Sequence, residues 1–199
     1  MSEIVLDCCV VSNFALSGAL GVLEALFVRK AHITEFVAVE VSRGIQAGHV
    51  RLEEIPKAVR VGWLRESSLK TREEKRLFET LSRSLGLGEA SAIAIAKSRG
   101  FVFASDDRVA RAEAAALGVC LTGTLGILTK AVRTGVCEGR TADAYLSGMI
   151  EAGFYSPVRS LSAPNFLAYK GALGKALPQE VEARKTVRAV AARLKQVSK

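Results

Sequence analysis

The chain has 199 residues, enough for one domain of ordinary size with a short appendage. Apolar residues make up 49% and charged residues 24%, a globular balance that excludes a disordered or low-complexity chain. The formal net charge is +8 and the pI is near 9.6, which favours a polyanionic partner, although the same balance also serves plain solubility. Four cysteines (Cys8, Cys9, Cys120, Cys137) form no C-x-x-C pair, and His32 and His49 lie at no zinc-like spacing to them. They read as small buried hydrophobes in a reducing, cytoplasmic setting. The amino terminus carries Glu3 and no long apolar core of a signal sequence, and no apolar stretch reads as a membrane span.

Residues 3–6 read as a short buried strand. Residues 11–28 repeat Leu16, Leu20, Leu23 and Phe27 at three- and four-residue steps and predict helix. Ile33 falls in a second short strand. Residues 36–46 predict a helix with Val37, Val41 and Ile45 on one stripe and Glu40 at its edge. Gly48, Pro56 and Gly62 make residues 47–70 irregular, and the stretch is basic. Residues 72–84 predict a charged helix. The next helix opens at Glu89 and ends near Gly100, with a run of small residues suited to close packing on a sheet. Phe101–Ala104 is the clearest strand. Ser105-Asp106-Asp107 then starts a helix expected to turn Val109, Ala112 and Leu117 inward. Val119–Leu121 is a further strand, followed by a helix from Thr122 that Gly135 closes. From residue 141 the pattern is helical throughout, and Gln179–Lys199 reads as a basic helix. Over 175–199 there are seven Lys/Arg against two Glu. The strand–helix alternation predicts an α/β fold with a mainly parallel sheet, whose ligands bind beyond the carboxyl ends of the strands.

Asp7, Glu40, Glu89 and the pair Asp106-Asp107 fall on four separate segments at that edge. Carboxylates at the ends of buried strands are costly unless something uses them. A hard divalent cation, Mg²⁺ or Mn²⁺, takes oxygen ligands and offsets their repulsion, and such ions activate water toward phosphodiesters. Taken singly, each acid reads equally well as a helix cap or a surface charge.

The order of these segments resembles the PIN-domain superfamily, and within it the small prokaryotic proteins like the VapC toxins. The motifs are IVLDCCVVSNF, FVAVEVSRGI, GLGEASAIAIAKSRG, FVFASDDRVAR and GVCLTGTLGILTKAVRTG, spanning roughly residues 3–155. The resemblance implies a three-layer α/β/α fold with a central, mainly parallel sheet and a helical C-terminal extension, divided as a nuclease domain over 1–155 and an extension over 156–199. It implies a metal-dependent endoribonuclease using Mg²⁺ or Mn²⁺, with Asp7, Glu40, Glu89 and Asp107 as catalytic acids and Asp7, Glu89 and Asp107 holding metal. Asp106 is the direct alternative to Asp107. Ser105 resembles the hydroxyl that supports this last acid. The family's hydroxyl after the first Asp is replaced here by Cys8, with Ser12 as a substitute. Arg43, Lys97, Arg108 and Arg111 are candidates for the RNA backbone, and equally read as solvated charges. The resemblance also implies an antitoxin partner and a homodimer, with a stand-alone RNA-processing role as competitor.

Two other classes compete. One is a PIN-like module that binds RNA or protein without cutting. The other is a phosphoryl-transfer or receiver protein, which fits poorly because Cys9 stands where a dehalogenase-like phosphatase has its second Asp. A dinucleotide fold fails for want of a complete G-x-G-x-x-G.

Overall fold

The computed structural model describes residues 2–162. The predicted basic helix at 179–199 and most of the 156–199 extension lie outside the described residues.

Five parallel strands form the sheet: β1 (Ile4–Leu6), β2 (Ala31–Thr34), β3 (Leu64–Ser67), β4 (Val102–Ala104) and β5 (Leu121–Thr122), in the order β3-β2-β1-β4-β5. The helices are α1 (Cys8–Leu16), α2 (Leu20–Phe27), α3 (Glu35–Gln46), α4 (Glu54–Val61), α5 (Arg72–Leu81), α6 (Leu87–Arg99), α7 (Arg108–Ala116), α8 (Thr124–Thr134) and α9 (Gly139–Glu151). The alternation of side chains along a strand divides the core in two. Ile4, Leu6, Val102 and Ala104 pack into one cluster with α1, α2, α8 and α9. Val5 and Phe103 pack into the other with α6 and α7. That is the three-layer α/β/α architecture. The chain winds outward from β1 to β3, then returns to β4 on the other side of β1. The reversal between β1 and β4 opens a crevice at their carboxyl ends, where Asp7 follows one strand and Ser105-Asp106-Asp107 the other.

Four local expectations are corrected. Helix 11–28 is two helices, α1 and α2, bent by 119° around Gly18, whose φ of 75° favours glycine. The stretch 47–70 contains α4 and the edge strand β3. Arg65 and Glu66 lie exposed in that strand between buried Leu64 and Ser67, so its alternation is masked by charge, as suits a sheet edge. In α7 the inward residues are Ala110 and Ala114, while Val109 is 56% exposed and Ala112 is exposed. The cap at Asp107 sets this phase. Finally, the helix expected from residue 141 ends at Glu151. Gly153, at φ 105°, lets Phe154 N bond to Met149 O (2.9 Å), and Pro157 follows. Val158 then re-enters the core.

Two buried polar clusters hold elements together away from the crevice. Glu74 on α5 accepts from Arg99 Nε (2.7 Å) and Nη2 (3.1 Å) at the end of α6, and from the backbone N–H groups of Lys70 and Thr71. Burial raises its pKa, but these donors outweigh it and hold the carboxyl at about 2. His32 bridges Ser67 Oγ (2.9 Å) and Glu3 Oε1 (3.2 Å), and burial lowers its pKa.

Candidate active site

Asp7 is the residue between β1 and α1, and it is 2% exposed. Its Oδ1 accepts from Cys8 N (2.8 Å), and its Oδ2 accepts from Ser105 Oγ (3.0 Å) and Cys9 Sγ (3.0 Å). Burial raises its pKa against these bonds, and the charge of Asp107 adds to the rise. Ser105 is fully buried and relays to the second strand end, because its Oγ also accepts from Asp107 N (3.1 Å).

Glu40 reaches the same crevice from α3. Burial raises its pKa first and the charge of Asp7 second. The Cys8 thiol, the Gly88 N–H and Arg43 oppose the rise. Gly88 makes this approach feasible, because a Cβ there would stand 2.7 Å from both Glu40 carboxylate oxygens. Behind it, Ser91 Oγ donates to Gly88 O (2.8 Å) and meets Thr34 Oγ1 (2.8 Å), which also accepts from Val37 N. This buried link joins the starts of α3 and α6 and sets how closely Glu40 and Glu89 stand. Glu89, in the first turn of α6, accepts from Gly86 N through Oε2 (3.1 Å). Burial, then Asp7, and further down Asp107 and Glu40, raise its pKa. Asp107 caps α7 by accepting from Ala110 N through Oδ1 (2.7 Å).

Three of the acids are therefore anchored by a main-chain N–H at a helix start, Cys8 for Asp7, Gly86 for Glu89 and Ala110 for Asp107, while Glu40 lies against the backbone at Gly88. The amino ends of α1, α6 and α7 face the crevice, and their partial positive charges are what lets so many carboxylates gather.

The structure distinguishes the two adjacent aspartates. Asp106 Oδ1 accepts from Thr124 N (2.9 Å), and its Oδ2 accepts from Thr124 Oγ1 (2.6 Å) and Asn13 Nδ2 (3.3 Å). Both oxygens are committed to the start of α8. The charge of Asp107, by contrast, adds to the raised pKa values of Asp7 and Glu89.

Other expected roles shift. Ser12 meets the Cys8 sulfur (3.8 Å), while Ser105 and Cys9 supply the side-chain donors to Asp7. Cys9 is thus a hydrogen-bond donor to a carboxylate, beyond the small hydrophobe expected, and Cys120 is exposed. Burial and Asp7 raise the Cys9 pKa, so the thiol keeps its proton, and Cys8 is pushed up to about 12, chiefly by burial. Lys97 Nζ donates to Leu117 O (2.8 Å) at the end of α7, and Arg111 Nη1 bonds the carbonyls of Ser105 (2.7 Å) and Thr122. Both tie the chain to itself, because exposed carbonyls at helix and strand ends need donors. Arg108 is exposed beside Asp107. Arg43 lies one turn from Glu40, in an open groove of about 490 Å³ with Glu35, Val39 and Glu66. Sequence reasoning missed Cys9, Gly88, Asn13 and Thr124. The adjacency of Cys9 to Asp7 and the TGT turn at 122–124 carried the only signals.

The donor set, carboxylate oxygens from four elements, with burial and then neighbouring acid charge raising the pKa values of Asp7, Glu40 and Glu89, has the chemistry of a hard divalent-cation site. Among the described residues, no three acid, histidine or cysteine side chains stand as a closed metal cage. Glu89 and Asp107 are each turned to their own helix by one oxygen.

Fold and crevice together define a nuclease-like α/β module. The family model DUF3368, PIN domain, matches residues 3–163, and the chain belongs to that family. PIN domains are generally nucleases and typically use divalent metal ions. No curated protein and no solved structure matches the chain. Among the described residues no single helix is long and apolar enough to cross a membrane, and the α1–α2 pair that passes by length and composition together is bent through 119°.

Proposed function

We propose that the chain is a metal-dependent ribonuclease that hydrolyses RNA phosphodiester bonds. The observation that carries this reading is the convergence of Asp7, Glu40, Glu89 and Asp107 from four elements, where burial first and neighbouring carboxylate charge second raise the pKa values of Asp7, Glu40 and Glu89. Asp7, Glu89 and Asp107 are the acids to hold Mg²⁺ or Mn²⁺, and the ion, when bound, would supply charge neutralisation and activation of water. Ser105 and Cys9 fix Asp7 with its carboxylate turned into the crevice. Glu40, whose pKa burial and the charge of Asp7 raise, orients the attacking water and accepts its proton; a carboxylate of raised pKa is the stronger base for that task. The net charge of +8 favours approach of a polyanion to the body that carries this acidic crevice.

The test is cleavage of labelled RNAs and single-stranded DNA with Mn²⁺, Mg²⁺ or EDTA, comparing wild type with Asp7→Asn. Metal-dependent RNA cutting lost in the variant supports the reading. A folded wild type that binds RNA and never cuts supports the non-catalytic module. The toxin role and homodimer rest on family resemblance. They are tested by co-expression with the product of an adjacent reading frame and by light scattering.

A further inference from the structure

A second recess opens on the same sheet edge, next to the acids. It has a volume of about 100 Å³ and is lined by Asp106, Arg111, Gly123, Leu125, Gly126, Phe154, Tyr155 and Pro157. Its floor is the start of α8, whose ladder begins with Ile127 N bonding to Gly123 O. Arg111 uses one nitrogen, Nη1, for both carbonyl bonds, which leaves the guanidinium the N–H donors of Nη2 and Nε.

One wall is unusual. Tyr155 is 93% exposed, the most exposed of the large hydrophobic side chains described. It does not sit on a slack loop. Phe154 N bonds to Met149 O (2.9 Å), Phe154 packs against the core, Val158 is buried, and Asp143 accepts from Ser160 Oγ (2.9 Å) and Leu161 N (2.7 Å). An aromatic ring is thus presented to solvent from a segment tied down on both sides. Asp106 N bonds to Cys9 Sγ (3.5 Å), and Cys9 bonds to Asp7, so the recess adjoins the crevice through one residue.

The geometry points to this recess as a subsite for one nucleobase of single-stranded RNA, stacked on Tyr155, with the remaining Arg111 donors meeting the polar edge of the base. The inference rests on the ribonuclease reading and names how its substrate is held. Stacking on an aromatic side chain is tolerant of base identity, because every base has a π-face. The subsite therefore adds affinity and fixes the strand's path, with little sequence preference.

The test is fluorescence anisotropy of labelled single-stranded oligouridine and oligoadenylate with the full chain in EDTA, alongside cleavage in Mn²⁺. The variants are Tyr155→Ala, Tyr155→Phe and Tyr155→Trp. Alanine is expected to weaken binding about tenfold for both oligomers and to raise KM with kcat unchanged. Phenylalanine and tryptophan should restore binding, and the slope of affinity against salt should stay the same, since no phosphate contact is removed. If wild type binds and cuts RNA while alanine at 155 matches it, the subsite is overturned and the ribonuclease reading stands. Phenylalanine behaving like alanine overturns stacking as the mode. A wild type that neither binds nor cuts RNA overturns both readings together.

Discussion

Gly88→Ala separates the fold from the site. A Cβ at 88 would meet both Glu40 oxygens at 2.7 Å, about 0.7 Å inside ordinary contact. Position 88 is helical, so alanine suits the backbone there and gains up to about 1 kcal/mol of helix propensity. The atoms it strikes are the far end of a flexible side chain, so Glu40 can swing outward at the cost of its close approach to the start of α6. The expected result is a melting free energy within about 1 kcal/mol of wild type, because the two effects oppose each other. Cleavage should fall by roughly 10²–10⁴, the contribution of a positioned general base. A double-mutant cycle by urea denaturation reads the geometry without any activity: in a Glu40→Ala background the clash is gone, and Gly88→Ala becomes stabilising by roughly 0.5–1 kcal/mol. The reasoning is refuted if Gly88→Ala has the same effect in both backgrounds, or if it unfolds the protein, which would mean that α6 moves and Glu40 does not.

The raised pKa values of Asp7, Glu40 and Glu89 mean that the metal-free fold binds these protons more tightly than the unfolded chain does, so their contribution is lost as pH rises through the folded values. Mn²⁺ should then raise Tm more at about pH 8 than at about pH 5; an equal gain at both would disconnect the cation from these acids. Glu74 has the opposite sign: with its folded pKa at about 2, its stabilisation is present above 4.5 and lost as pH falls through the folded value. Glu74→Gln should cost about 3 kcal/mol in urea at neutral pH by leaving Arg99 without its carboxylate, and should flatten the acid limb; a loss under about 0.5 kcal/mol would show the pair to be idle. Cys9→Ser should keep cleavage, while Cys9→Ala should cost roughly 1 kcal/mol and about tenfold in rate by freeing Asp7; equal rates in the two variants would remove the thiol from the site.

The sheet was readable because its central strands are short apolar runs ended by acids, and α6 because its small residues demand close packing. The phase of α7 was not, since apolar Val109 outbids Ala110 in any hydrophobic count although the cap at Asp107 decides which faces inward. The edge strand β3 was hidden because half of it is charged. In the site, residue types carried the acids, but the split between Asp106 and Asp107 depends on Thr124 and Asn13, which are 18 and 93 positions from Asp106 in sequence. The close approach of Glu40 to Gly88 is likewise a contact between distant helices, with no local pattern to announce it.

The main-chain anchoring of the acids has a spectroscopic consequence. The amide protons of Cys8, Gly86 and Ala110 each point at a different carboxylate, and the fourth acid, Glu40, lies close against Gly88. Amide chemical shifts respond to the charge of the oxygen they face, so these resonances form a set of individual reporters. A titration with acid would give the order in which the carboxylates take up protons. A titration with Mg²⁺ would say which of them take part in binding, one residue at a time and without a single substitution.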